Sequence, residues 1–162
     1  MKPIYVYAGS FCPPTYGHLA IVKKAAELFP KLLILCSSNP EKDSRWFSEA
    51  ECREMWLTYK LPENVEVATY SASAHDLDPK DIVLIRGIRN EKDLDDEKRV
   101  VILNSKVGID KYFYLMSECA YRGISSSKAR RAAKKPDLDA LKHLVAPSIV
   151  SRLIEKAQLA TI

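Results

Sequence analysis

Five short apolar runs punctuate the chain: Ile4-Tyr5-Val6-Tyr7, Leu32-Leu33-Ile34-Leu35-Cys36, Val65-Glu66-Val67, Ile82-Val83-Leu84-Ile85 and Tyr112-Phe113-Tyr114-Leu115. Each is rich in branched or aromatic residues, the composition of a buried strand. The segments between them are too long for hairpin turns, and several have helical apolar spacing. Parallel strands joined by helical crossovers are the expected outcome: an α/β chain with a five-stranded, doubly wound parallel sheet and helices on both faces. Ligands of such sheets bind beyond the carboxyl ends of the strands, where the winding reverses direction.

The first helix is expected to run from Gly17-His18 to near Phe29-Pro30. Ser48 and Glu51 have capping-box spacing and open a second, reaching about Tyr59. A long helix is predicted from about Glu91 to Lys106, with Leu94, Val101 and Ile102 on an apolar stripe. Ser71 to Pro79 has weak periodicity and reads as loop with a turn of helix. A basic helix over Lys128 to Lys134 and a last helix opened by Pro147 complete the pattern. Residues 1–162 are read as one domain, without repeats or an interdomain linker.

With 47% hydrophobic residues the chain has the material for a core, and no apolar run is long enough to span a bilayer. The first strand begins at Ile4, leaving no room for a signal peptide, so a cytoplasmic location is expected. The four cysteines, Cys12, Cys36, Cys52 and Cys119, form no Cys-x-x-Cys pair and have no histidine at metal spacing, which favours free thiols over a disulfide frame or zinc site. Cys12 stands apart, since a thiol near a helix start can be unusually acidic, although a packing role explains it equally. The net charge of +4 suits small polyanions such as nucleotides and does not argue for nucleic acid.

The polar residues that follow the strands are the informative ones. The first strand empties through Gly9-Ser10-Phe11-Cys12-Pro13-Pro14-Thr15-Tyr16-Gly17-His18 into a helix. Free N–H groups at that helix start, with the positive end of its dipole, form a site for phosphate, and His18 in the first turn can donate to the same anion. Asn39 to Lys42, Arg86-Gly87-Ile88-Arg89 and Tyr121 to Ser127 also follow strand ends and belong to the same rim. Singly, each admits a plainer reading. His18 can be a packing histidine, Lys42 soluble surface, Arg86 and Arg89 solvated caps of a strand. Glu97 can be one member of a charged helix face, and Ser125 to Ser127 helix caps.

Together, Gly-Ser-Phe-x-Pro-x-Thr-x-Gly-His at 9–18, Asn-Pro-x-Lys at 39–42, Arg-Gly-Ile-Arg at 86–89 and Ile-Ser-Ser-Ser at 124–127 resemble the bacterial phosphopantetheine adenylyltransferases, in that family's order and with nearly its spacing. The resemblance spans essentially the whole chain and implies the Rossmann-like fold of the nucleotidyltransferase superfamily. Thr15 stands where relatives with a His-x-Gly-His signature carry the first histidine.

The implied reaction is attack by the 4′-phosphate of phosphopantetheine on the α-phosphorus of ATP, giving dephospho-coenzyme A and pyrophosphate. The nucleophile is already an anion, so alignment and charge stabilisation should suffice. By resemblance, His18, Lys42 and Arg89 are catalytic: His18 meets the α-phosphate, Lys42 and Arg86 hold the acceptor phosphate, and Arg89 meets the β- and γ-phosphates. Ser10 contacts phosphate and, with Ala74, the acceptor. Ser10, Phe11, His18, Gly87, Ile88, Arg89, Glu97, Tyr121, Arg122, Gly123, Ile124, Ser125, Ser126 and Ser127 make up the implied ATP site. Mg2+ should arrive with ATP, with no metal held by the protein itself. No nucleic-acid or membrane partner is implied, and the family's assembly implies a homo-oligomer, a hexamer.

Three departures from the family stand out. Cys12 replaces a usual aspartate, the loop after Lys42 is one residue longer, and Ser71 to Pro79 is shorter and less apolar where the acceptor's arm should lie. Two alternatives therefore accompany the leading reading: a nucleotidyltransferase with another phosphorylated acceptor, a pyridine mononucleotide or a sugar or polyol phosphate, and a catalytically silent nucleotide- or coenzyme A-binding module.

Overall fold

The computed structural model of the chain describes residues 2–38 and 45–159. Strands β1 (Ile4–Gly9), β2 (Leu32–Cys36), β3 (Val65–Thr69), β4 (Ile82–Ile88) and β5 (Lys111–Met116) form one parallel sheet in the order β3-β2-β1-β4-β5. Winding goes outward from β1 to β2 and β3 on one side, then returns to β4 and β5 on the other. The loops after β1 and β4 therefore part above adjacent strands, opening a crevice at their carboxyl ends.

Alternation along the strands divides the sheet into two unequal faces. Tyr7, Leu32, Ile34, Cys36 and Ile85 point into the larger core. Helices α1 (Tyr16–Leu28), α2 (Glu49–Trp56), α5 (Ser126–Lys134), α6 (Leu138–Leu144) and α7 (Pro147–Leu159) supply its other side through residues such as Val22, Trp56, Ala129, Leu141 and Leu153. The opposite face has a thinner cluster of Val6, Leu35, Ile82 and Leu84. It carries the short α3 (Tyr70–Ser73) connection with Leu77, and α4 (Glu91–Ser105).

Local chemistry explains the helix starts. Ser48 and Glu51 make the expected reciprocal capping box at α2, Asn90 caps α4, Ser125 caps α5 and Asp137 caps α6. Helix α6 has no counterpart in the sequence reading, because with only Leu141 buried it is too short to show a period.

Several expectations need correction. Strand β4 runs on through Arg86, Gly87 and Ile88, paired to Tyr114, Leu115 and Met116 of β5, so the first arginine belongs to the sheet and not to the loop after it. Helix α2 stops at Trp56, short of Tyr59. The segment after β3 does hold the expected turn of helix, as α3, and its remainder adds 3-10 turns at Ala74–Asp76 and Pro79–Asp81. The apolar stripe of α4 does not face the core: Leu94 and Ile102 are 53% and 61% exposed, and the buried residue of this helix is Glu97.

Candidate active site

Above the crevice lies a cavity of about 460 Å³ whose wall combines the loop after β1, the end of β4, the start of α4 and the segment leading into α5. Ser10, Phe11, His18, Arg86, Gly87, Arg89, Glu97, Tyr121, Ile124, Ser125, Ser126 and Ser127, all singled out in the sequence, line it together. The N-termini of α1 and α5 both open onto this space, bringing two positive dipole ends to one volume.

Close packing makes the wall possible. A β-carbon on Gly9 would fall 2.9 Å from the Phe11 ring, and one on Gly87 2.9 Å from Ile21 of α1, so glycine lets β1 and β4 approach those side chains. Phe11 itself takes a positive φ of 44°, turning its ring back under the loop against Tyr7, Trp56 and His18.

The tautomer of His18 follows from its partners. The Thr15 peptide N–H donates to Nδ1 at 3.1 Å, and the His18 N–H donates to Thr15 Oγ1 at 3.4 Å, a capping box with histidine as its third residue. Since Nδ1 accepts, the ring proton resides on Nε2, which is left to donate. Burial, reinforced by the charge of Arg89, lowers the pKa to about 4 and keeps the ring neutral at ordinary pH.

Two cavity arginines are locked by carboxylates. Glu97 receives Arg86 Nε at 3.0 Å on both oxygens and Nη2 at 2.6 Å, while Arg86 Nη1 donates to the Ala8 carbonyl at 3.3 Å. Burial opposes the Arg86 charge, but the hydrogen bonds and charge of Glu97 outweigh it and hold the guanidinium ionised. Asp93, one helical turn from Arg89, receives its Nε and Nη2 at 2.9 Å, and the arginine holds that carboxyl below the usual aspartate range. Arg130 donates to the Cys12 carbonyl at 2.6 Å and to Ser127 Oγ at 3.2 Å. Arg45 Nη1 reaches the Ser37 carbonyl at 2.9 Å.

The three serines are tied into the same frame. Ser125 Oγ accepts the Lys128 N–H, Ser126 Oγ donates to the Pro13 carbonyl at 2.8 Å, and Ser127 meets Arg130. Their helix start is thereby fastened to the loop after β1.

The remaining sequence candidates are placed differently. Lys42, with the rest of Asn39 to Lys42, lies outside the described residues. Ala74, in the turn after α3, is not brought to the cavity wall. Ile88 is buried behind it, and Arg122, which donates to the Ser117 carbonyl, and Gly123 also lie off the lining. Glu97 both lines the cavity and holds Arg86. Arg45, Asp93, Asp96, Ser117 and Arg130 line the cavity without having been singled out. Asp93 was discoverable as the i+4 partner of Arg89, and Arg130 as the i+3 neighbour of Ser127 on a helix.

A family model described as cytidylyltransferase-like matches residues 6–132. The phosphopantetheine adenylyltransferase of Carboxydothermus hydrogenoformans is 34% identical over 158 residues, covering 96% of each chain. That of Clostridium botulinum strain Hall is 31% identical over 131 residues, 79% of this chain and 80% of its own. Among solved structures, Plasmodium falciparum nicotinic acid mononucleotide adenylyltransferase complexed with NaAD superposes with a TM-score of 0.66 at 17% identity, covering 96% of each chain. A bifunctional NMN adenylyltransferase/ADP-ribose pyrophosphatase of Francisella tularensis, complexed with AMP and a manganese ion, gives 0.59 at 13% identity over 98% of this chain and 51% of its own. At such identities the structural likeness speaks to the fold.

Proposed function

The chain belongs to the cytidylyltransferase-like family, among the relatives named phosphopantetheine adenylyltransferase, and from this we propose that it transfers the adenylyl group of ATP to the 4′-phosphate of phosphopantetheine. The observation that carries the reading is the convergence of His18, Arg89 and two helix N-termini on one cavity.

ATP would lie with its phosphates across the starts of α1 and α5. His18 Nε2–H would donate to an α-phosphate oxygen, and its neutral ring gives a hydrogen bond that strengthens as charge gathers on the five-coordinate phosphorus. Arg89 would meet the departing β- and γ-phosphates. Arg86, held by Glu97, and Lys42 would hold the acceptor phosphate, whose oxygen attacks the α-phosphorus as the bond to the pyrophosphate oxygen breaks. Cations on either side offset the repulsion between two polyanions and keep attacking and leaving oxygens in line. Ser10, Phe11 and the backbone from Tyr121 to Ser127 would seat the nucleotide.

We assign magnesium to the nucleotide and not to a protein cage. Among the described residues no group of three His, Cys, Asp or Glu side chains could hold a metal ion. At the rim, Asp93 and Glu97 are committed to arginines, so Asp96 is the carboxylate placed to meet a nucleotide-bound ion through water. Magnesium there supplies charge neutralisation on the phosphates. The cysteines are free thiols and no described helix is long and apolar enough to cross a membrane. On the resemblance we propose a cytoplasmic enzyme, whose net charge of +4 suits small polyanions more than nucleic acid.

We also propose a homo-oligomer, a hexamer by resemblance. Leu94, Ile102, Leu103 and Val107 on and after α4, with Met116 at the end of β5, leave apolar surface that a second copy of the chain would cover.

A second reading, another phosphorylated acceptor, is favoured by the position of Ala74 away from the cavity wall. Pyrophosphate release from ATP and magnesium, measured with phosphopantetheine, nicotinic acid mononucleotide and glycerol phosphate, separates the two. Turnover confined to phosphopantetheine is expected. Turnover with another acceptor alone would overturn the choice of substrate, and ATP binding with no turnover would overturn the enzyme assignment.

A further inference from the structure

Three of the four cysteines lie along the wall that joins the loop after β1 to the start of α2. Cys12 lines the cavity with 7% of its surface exposed, and Cys36 and Cys52 are fully buried. The Cys12 sulfur accepts the Phe47 N–H at 3.3 Å. Both sulfurs lie within reach of one acceptor, the Phe47 carbonyl, at 3.9 and 4.0 Å. Arg45 Nη2 stands 3.6 Å from the Cys52 sulfur. The adenylyl-transfer scheme uses none of these thiols.

We propose that Cys12 and Cys52 form an oxidisable dithiol that reacts with small aliphatic disulfides entering the cavity and closes to an internal disulfide. The class of oxidant rests on the proposed acceptor, which is itself a thiol and whose disulfide would enter by the same route. The Cys12 thiolate attacks one sulfur of the small disulfide, giving a mixed disulfide and expelling a thiolate. Cys52 then attacks the Cys12 sulfur, expels the second small thiolate and gives up its proton to it. Two protein thiols are oxidised and one small disulfide is reduced to two thiols.

The environment favours this order of attack. The neighbouring Cys52 side chain is the largest influence on the Cys12 thiol. With the Phe47 and Trp46 N–H groups and the charge of Arg45 it outweighs burial and draws the pKa down. Cys52 is fully buried and does not line the cavity, so it is reached only after Cys12 has reacted and serves as the resolving thiol, with Arg45 Nη2 3.6 Å from its sulfur to favour the attacking thiolate.

Closure has a consequence for the cavity. Cys12 is held at three points: its sulfur by Phe47, its carbonyl by Arg130, and its chain neighbour Phe11 in a left-handed conformation. A bond to Cys52 draws the sulfur from the Phe47 N–H and shifts the Ser10-Phe11 backbone where the nucleotide would sit. Oxidation is therefore expected to weaken ATP binding.

The test treats the folded chain with pantethine, alkylates the remaining thiols and maps the peptides by mass spectrometry. Expected are a Cys12–Cys52 cross-link that dithiothreitol reverses, slowing of the reaction by ATP, and at least a tenfold loss of ATP affinity in the oxidised protein. In Cys52→Ser the mixed disulfide should accumulate on Cys12. Full alkylation of Cys12 with the adduct on exposed Cys119, or a Cys36–Cys52 link instead, would overturn the inference. The mapping needs no turnover: a cross-linked but inactive chain counts against the adenylyltransferase reading alone, and an active chain with unreacted Cys12 against this inference alone.

Discussion

Glu97 grips the Arg86 guanidinium at 2.6 to 3.0 Å across the gap between α4 and β4, and is the buried residue of a helix whose other residues are half-buried or exposed. The pair fixes the cation beneath the cavity and is a main attachment of α4 to the sheet.

Glu97→Ala should therefore strand a charge whose side chain is only 25% exposed. A loss of about 3 kcal/mol is expected in urea unfolding, with much of it recovered when Arg86 is changed to Met in the same chain. Glu97→Gln should fold and raise the KM for the acceptor more than that for ATP.

Replacing His18 with alanine should lower kcat by roughly 10²- to 10³-fold while leaving ATP affinity within a few-fold, since the hydrogen bond is stronger in the transition state. The pH dependence of stability also carries its signature. An unfolded histidine titrates near 6.5 and the folded one at about 4. As pH falls from about 6.5 to about 4 the unfolded chain gains a proton that the folded chain does not, and stability drops. The drop should be on the order of 2 kcal/mol, less than full burial would give because the ring borders the cavity. Chemical unfolding of wild type and His18→Gln at pH 7 and pH 4.5 measures the difference.

Asp93→Ala should release Arg89 from its i+4 tether. Because Arg89 is partly exposed, the expected effect is modest: up to about a fivefold rise in the KM for ATP, equivalent to about 1 kcal/mol, with kcat little changed. Asp93, held ionised by Arg89, stabilises the fold above the usual aspartate pKa. That contribution is lost as pH falls through its lowered value, and the variant should lack it.

Changing Ile102 and Leu103 together to aspartate places charge on a surface of α4 that the isolated chain leaves exposed. Light scattering after size exclusion should show a smaller assembly, with circular dichroism unchanged. A wild-type chain that is already monomeric would overturn the proposed oligomer.

What the sequence by itself determined was local in origin. The strand cores, the Ser48 and Glu51 cap and the three rim segments among the described residues were legible because side-chain period, turn residues and caps act within a few positions of the chain. Tertiary structure alone decided which partners those side chains took. Glu97 read as one acid among Asp93 to Lys98 until the sheet brought Arg86, eleven residues earlier, beneath it. The α4 stripe looked like core because periodicity reports amphipathicity and not what lies opposite, and Cys12 met Cys52 because the loop after β1 and helix α2 pack on one face. Contacts between distant segments depend on strand order and on which face each crossover covers, and no short window of residues encodes either.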